Sequence, residues 1–310
     1  MNESRKRSFI TEKTNLDITA PGEYERLFTK VSRFEKRLGK DVCDWSSKEI
    51  LTWLKLENKK SYIALRHYVS CLSGYTLWCM SHGLSKTNQN HYNEITASEL
   101  QQCVNQVKLK QAVLSRDEVV QKIRTLDNYR DQFFILSLFE YGGIKNYYDD
   151  IINVRISDFT PTENTLYLSS SDRTVTVSDL LFDIASKAYD QEVYIGNMRS
   201  SPLSPRGDKV MKFVQRKVNQ GLDISKSQMT FQLKRIIKIT LDLMGYPNLT
   251  AKDIMISGMI WKIKEYAKYY QITPKEVIYD KDLYQKICNQ FDMYVHFNQW
   301  WLRYRNVFEE

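Results

Sequence analysis

The sequence has no apolar run of 18 or more residues, which excludes a membrane-spanning helix of ordinary length. Its start, Met1-Asn-Glu-Ser-Arg-Lys-Arg-Ser-Phe9, carries cations without an apolar stretch behind them, so no secretory signal peptide is expected. Cysteine is sparse: Cys43, Cys71, Cys79, Cys103 and Cys288 include no Cys-x-x-Cys pair, and an odd set argues against a disulfide framework. Cys71 and Cys79 fall on one helix face, as reduced structural thiols of a cytoplasmic protein would. His82 and His91 lie in a polar stretch without metal-ligand spacing, so neither a metal nor another cofactor is expected. Internal repeats and low-complexity tracts are also missing. What remains is an ordinary folded composition, 42% hydrophobic and 26% charged, which excludes wholesale disorder. A chain of 310 residues is long enough for two domains, each with its own core.

Positive charge is present in modest excess, +8 overall, but it is unevenly placed. Between Arg199 and Lys238 stand ten cations (Arg199, Arg206, Lys209, Lys212, Arg216, Lys217, Lys226, Lys234, Arg235, Lys238) and two acids, Asp208 and Asp223. That local excess equals the excess of the entire chain. Such a concentration is the electrostatic footprint of a face that binds a polyanion.

Residues 1–20 are polar and aperiodic and predict a flexible arm. Leu27, Val31, Phe34 and Leu38 predict a helix from Glu23 to about Leu38. Ser46-Ser-Lys-Glu49 is a capping box that opens Ile50-Leu-Thr-Trp-Leu54, and Thr96-Ala-Ser-Glu99 opens a helix to about Lys108. Between them, Lys60 to Met80 presents Ala64, Tyr68, Cys71, Leu72, Tyr75, Trp78 and Cys79 as one apolar stripe at helical spacing. Residues 21–109 therefore read as a helical domain with a basic edge. Residues 110–310 read as a second domain, starting with the capping box Ser115-Arg-Asp-Glu118 and an apolar helix, Tyr129 to Tyr141, stopped at Gly142-Gly143. The period then switches to two: Thr165-Leu-Tyr-Leu168 and Thr174-Val-Thr-Val177 predict a hairpin. Further helix is expected from Asp179, then a basic segment through Pro202 and Pro205. Val210 to Val218 is ambiguous between strand and helix. Met229 to Met244 is a basic amphipathic helix, and three more helices fill Thr250 to the end, the second opened by Thr273-Pro-Lys-Glu276.

This order resembles the tyrosine recombinases, or phage integrases, over nearly the whole chain, by pattern rather than by dense identity. Lys60 to Cys79 looks like the long helix of their core-binding domain. Asp131 through Gly143 to Asp158 looks like the segment that bears their first catalytic arginine, and Thr250 to Gly258 like the segment of their His-x-x-Arg. The resemblance implies a mainly α fold with a small β-sheet, in which a core-binding domain and a catalytic-like domain with a hairpin insert form a clamp on DNA. Those enzymes attack a DNA phosphate with a tyrosine while two arginines neutralise its oxygens. Losing one such preorganised charge commonly costs about 10² to 10³ in rate. Carried over residue by residue, the first arginine falls on Tyr147 when anchored on Asp150 and Asp158, or on Lys145 when anchored on Gly143. The hairpin-turn lysine falls within Ser169 to Arg173, where only Arg173 is cationic, and His-x-x-Arg falls on Lys252 and Met255. The late histidine falls near Tyr279 or Asp280 and the nucleophile near Phe291, matching neither; a second register offers His296 and Tyr304.

A catalytic set is therefore not expected, and the chain reads as an integrase fold that binds DNA without cutting it. Among such non-catalytic relatives it resembles the lysogeny repressors of SPβ-type Bacillus prophages. That resemblance implies a transcriptional repressor at double-stranded operators in the host cytoplasm and nucleoid, with no small-molecule substrate and an antirepressor protein or peptide as its natural antagonist. Two alternatives stay open: an active recombinase with displaced Lys145, Arg173 and Tyr304, or an architectural accessory factor. In the resembled fold the long helix and a helix of the second domain enter successive major grooves. The expected contacts are Lys60, Tyr62, Arg66 and His67 on the first; Gln228, Gln232 and Arg235 at base edges on the second; and Lys226, Lys234 and Lys238 on flanking phosphates. Lys145 and Arg173 are expected on phosphates near the hairpin.

Overall fold

The computed structural model describes residues 2–16, 21–196, 200–204, 206–214 and 225–308. The chain divides into two compact units, Met1–Lys110 and Gln111–Glu310.

The first unit is helical: α1 (Glu3–Leu16), α2 (Pro21–Leu38), α3 (Ser47–Leu56), α4 (Tyr62–Ser81), α5 (Ala97–Gln102) and α6 (Gln106–Lys110). Of the expected flexible arm, residues 1 and 17–20 lie outside the described residues, and residues 3–16 form α1. Its one large anchor, Phe9, is fully buried, with its ring edge-on to Tyr24, Phe28 and Tyr75 at 5.2, 6.1 and 5.3 Å. Lys6 pairs with buried Glu35 at 2.5 Å, and the other Glu35 oxygen accepts from the Val42 amide. Arg5 donates to the Leu84 carbonyl at 3.3 Å and Glu12 accepts from the Trp78 indole at 2.6 Å, so polar contacts around a single buried aromatic hold the helix and no periodic stripe announces it. Capping boxes do form at Ser46 and Thr96, where Glu49 and Glu99 accept from the cap amides at 2.8 and 2.9 Å. The chain from Thr96 breaks into α5 and α6 rather than running unbroken to Lys108.

The second unit is built around α8 (Tyr129–Glu140), which is buried from Arg130 to Glu140 and packs against α10 (Asp179–Asp190) and α12 (Ala251–Tyr270). The α12 crossing is intimate. A side chain at Gly258 would meet the Phe139 carbonyl oxygen at 1.7 Å, so only glycine permits this approach. Ahead of α8 lies α7 (Arg116–Ile123), capped by Ser115; α9 (Asp149–Ile152) follows the glycines. The expected hairpin is β2 (Thr165–Leu168) and β3 (Arg173–Thr176), joined by β1 (Phe159–Thr160) into an antiparallel sheet with Leu166 opposite Val175.

A second small antiparallel sheet comprises β4 (Val193–Ile195), β5 (Ser200–Ser204) and β6 (Phe213–Val214). The basic segment after α10 thus contains strands, and the ambiguous Val210 to Val218 contains β6; residues 215–218 lie outside the described residues. Buried Arg130 ties this sheet to α8. It bonds Asp131 at 3.0 Å and the Lys212 carbonyl at 3.3 Å, and its guanidinium lies over the Tyr194 ring. The unit continues with α11 (Lys226–Leu243), α12, α13 (Pro274–Tyr279), α14 (Lys281–Phe291) and α15 (Phe297–Phe308). Four helices therefore follow Thr250 among the described residues, because Asp280 caps a new helix where the pattern reads as continuous.

Candidate nucleic-acid interface

Behind α8 the backbone turns through an unusual run of left-handed residues. Gly142 and Gly143 have φ of +83° and +67°, and Asn146, Tyr147 and Tyr148 follow at +47°, +62° and +67°. Glycine and asparagine enter this region readily, whereas the two tyrosines are strained there. Tyr148 is held by its ring, edge-on to Phe134 at 5.6 Å, and by its carbonyl, which accepts from Ile151 and Ile152 to start α9. Tyr147, one of the two candidates for the first arginine position, is 63% exposed on this turn.

The other candidate, Lys145, is exposed and paired with Asp292 at 2.8 Å. Arg173 is bound far more completely. Its guanidinium donates to Asp150 at 2.6 Å, to the Asn289 and Gln290 carbonyls at 2.6 and 3.2 Å, and to Ser171 at 2.8 Å. Both cations are thereby drawn to the C-terminal end of α14, where open carbonyls and the helix dipole favour positive charge. For Arg173 this corrects the expectation of a phosphate contact, because its donors are used inside the unit. Lys145 remains a surface ion pair that a phosphate can compete for.

Met255 is fully buried under the glycine turn. A side chain on Gly142 would touch the Met255 thioether and the Phe291 carbonyl at 3.1 Å. Lys252, one turn earlier on α12, is exposed. Tyr304 is 4% exposed, its ring 4.6 Å from that of Trp300, and burial pushes its phenol above the ordinary value. It is therefore a core aromatic of α15. His296 is exposed and stacks on Phe297.

On α4 the expected stripe is buried at Cys71, Leu72, Tyr75 and Cys79, with Ala64, Tyr68 and Trp78 half-buried, while Tyr62, Leu65 and Thr76 are buried beside it. Tyr62 is 9% exposed, a core residue rather than the surface contact expected. Arg66 is exposed, Lys60 is half-buried, and His67 is turned toward α2 by Glu23 at 2.8 Å. His67 thus bridges two helices of its own unit in a surface pair like that of Lys145 with Asp292.

On α11 the inner face is Leu233, Ile236, Ile237, Thr240 and Leu241. Lys234, Arg235 and Lys238 are exposed. Gln232 is not with them: its amide accepts from the Val214 N–H at 3.2 Å and donates to the Val214 carbonyl at 3.4 Å, extending the β6 edge. Base reading by Gln232 is thus corrected to strand capping. Gln228 is exposed, but its carbonyl oxygen accepts from the Ser225 amide at 3.0 Å in a capping box, leaving only its NH2 as a donor. The Lys226 side chain and all of Arg199, Arg216 and Lys217 lie outside the described residues.

Among the described residues, the cations of this stretch are not all at the surface. Lys212 is buried, donating to the Tyr189 and Gln191 carbonyls, and Arg206 is half-buried on the Ile152 and Met211 carbonyls at 2.9 and 3.1 Å. Arg155, which has no assigned role in the sequence, emerges beside Lys209 of the same stretch. An antiparallel bridge sets Arg155 opposite Lys209, with Lys209 on Asn153 at 2.9 Å. Burial first, then Arg206 and Arg155, depress the Lys209 ammonium, as expected of cations crowded without enough countercharge. Their separation by more than fifty positions hides the pair from any local reading. Phe231, 62% exposed among the α11 cations, is the other omission: an aromatic at helical spacing is ordinarily assigned to core. Among the described residues no group of metal-ligating side chains converges, and no helix is long and apolar enough to cross a membrane.

Two family models match the chain: "MrpR, N-terminal core-binding domain" over residues 1–81, and "MrpR, C-terminal catalytic domain" over residues 113–308. The SPbeta prophage-derived uncharacterized protein YopR of Bacillus subtilis (strain 168) is 24% identical over 282 residues, covering 87% of this chain and 82% of YopR. Among solved structures, a lambda integrase dimer bound to a COC' core site aligns with 94% of this chain and 97% of its own, at 11% identity and TM-score 0.42. The XerA recombinase aligns with 97% and 93% at 12% identity and TM-score 0.38.

Proposed function

The chain belongs to the MrpR family, whose domains are those of an integrase, and on that premise we propose that it is a sequence-specific binder of double-stranded DNA that represses transcription to maintain prophage lysogeny and does not cut its sites. The observation that carries this reading is the fate of the catalytic positions. Met255 lies in the core, Arg173 is consumed by Asp150 and the end of α14, and Tyr304 is buried on Trp300. The family description retains the word catalytic for residues 113–308, yet phosphoryl transfer needs charge aimed at a phosphate, and these side chains aim elsewhere.

Binding itself rests on exposed cations: Lys234, Arg235 and Lys238 on α11, Arg66 on α4, Arg155 beside half-buried Lys209, and Lys145 once released from Asp292. Lys60 belongs with the α4 group. Arg235 has the geometry to pair with guanine, and Gln228 has one amide donor to offer. A place in the host cytoplasm on the nucleoid, and control by an antirepressor protein or peptide, go with the same reading.

The test joins genome-wide footprinting of the full-length protein to a trapping assay with nicked suicide duplexes of the bound sites. Discrete footprints without covalent protein–DNA adduct are expected. An adduct at Tyr304 would overturn the repressor reading in favour of a recombinase with displaced residues. Binding without discrete footprints would favour an architectural accessory factor.

A further inference from the structure

The exposed side of α11 has a centre, and that centre is apolar. At about 100° per residue, Ser227, Lys234, Arg235 and Lys238 stand at positions −4, +3, +4 and +7 around Phe231 and share its side of the helix. Phe231 is the sole aromatic of the helix and is 62% exposed. Single exposed hydrophobics are common on proteins and need no explanation by themselves. Phe231 differs in its company. The neighbouring cations on its face form no ion pair among the described contacts, and the first carboxylate on the helix is Asp242, near its far end. Gln232, which would have offered a polar alternative, is turned away to Val214.

Charge complementarity commits this face to a polyanion, and an α-helix fits the major groove of duplex DNA rather than the minor. A phenyl ring there has no hydrogen bond to give. The apolar group that the major groove presents is the 5-methyl of thymine. We propose that Phe231 is a specificity-determining residue that recognises thymine through its methyl group, with Lys234, Arg235 and Lys238 holding the adjoining backbone and bases. The inference rests on the DNA-binding reading above and gives that reading a base preference at one place in the site.

The test uses full-length protein and duplexes selected by it from a randomised pool. Each thymine of the best duplex is replaced in turn by uracil, which removes only the methyl. Wild type is expected to lose about fourfold in affinity at one or two adjacent positions, the worth of one buried methyl group. Phe231→Ala is expected to bind thymine and uracil duplexes alike at those positions, and Phe231→Leu to retain part of the difference. Because the side chain is largely exposed, neither variant should change the unfolding transition. A thymine–uracil difference that persists in Phe231→Ala would overturn the assignment, as would a wild type indifferent to uracil throughout. Unchanged affinity of Phe231→Ala for every duplex would overturn it too and leave the ring to a protein partner. Failure to select any duplex would instead remove the DNA-binding reading on which it stands.

Discussion

Replacing Arg173 by Met is expected to destabilise the second unit by about 3–5 kcal/mol, because Asp150 would be left as a buried, unpaired carboxylate. Denaturant unfolding measures this, and the salt dependence of DNA binding should stay as it is. Glu140 gives a second case. It is buried against Ser178, and burial raises its carboxyl above the ordinary value. Above the ordinary carboxylate value, and up to the raised one, the folded protein keeps a proton that the unfolded chain has lost, so this residue's contribution falls as pH rises through that window. The unfolding free energy of wild type relative to Glu140→Gln is therefore expected to be highest in acid and to decline toward neutral pH, as urea melts at several pH values would show. Neither role is legible in the sequence. Arg173 appears there as the lone cation of a turn, and its partners come from α9 and α14, more than twenty and more than one hundred positions away.

The elements were more legible than the details of their burial. Capping boxes at Ser46, Thr96, Ser115 and Thr273 mark real helix starts, since a carboxylate three residues from a hydroxyl satisfies the cap amides locally. The α4 helix is where expected and its stripe is buried at Cys71, Leu72, Tyr75 and Cys79, but its first turns bury Tyr62 and Leu65 ahead of Ala64 and Tyr68, because tyrosine is amphipathic and its side of the helix is settled by packing. Helix α1 escapes detection since Phe9 is its single buried aromatic and its other anchors are polar side chains such as Lys6, Arg5 and Glu12. For α11 the exposed cations make a quantitative expectation. Lys234→Ala and Lys238→Ala should each lower the slope of log affinity against log salt by about 1, and weaken all sequences alike, as loss of one phosphate contact does. Arg235→Ala should cost about 1–3 kcal/mol and relax preference at one base pair. A slope unchanged in both lysine variants would show that α11 does not lie on DNA.

For the molecule as a whole, charge totals mislead where positions do not. The excess between Arg199 and Lys238 pointed to a binding face, but Lys212 is buried and Arg206 half-buried in interior bonds to backbone carbonyls, while Arg155 joins Lys209 from outside that stretch. The cysteines behave as their scarcity predicts: all five are buried and free. A disulfide-exchange reagent should find none of them in the native protein and all five after denaturation, and fast reaction of any in the folded state would contradict their burial. Met255 has a different kind of consequence, one that concerns lineage. Restoring arginine there would push a guanidinium into a site lined by the glycine turn and Phe291, at the cost of several kcal/mol for an unpaired buried charge. The position lies in the hydrophobic interior, so an arginine placed there alone would not supply a clamp for phosphate. On the reading proposed here, the passage from cutting DNA to holding it is a ratchet, locked by packing rather than by the loss of one reactive group.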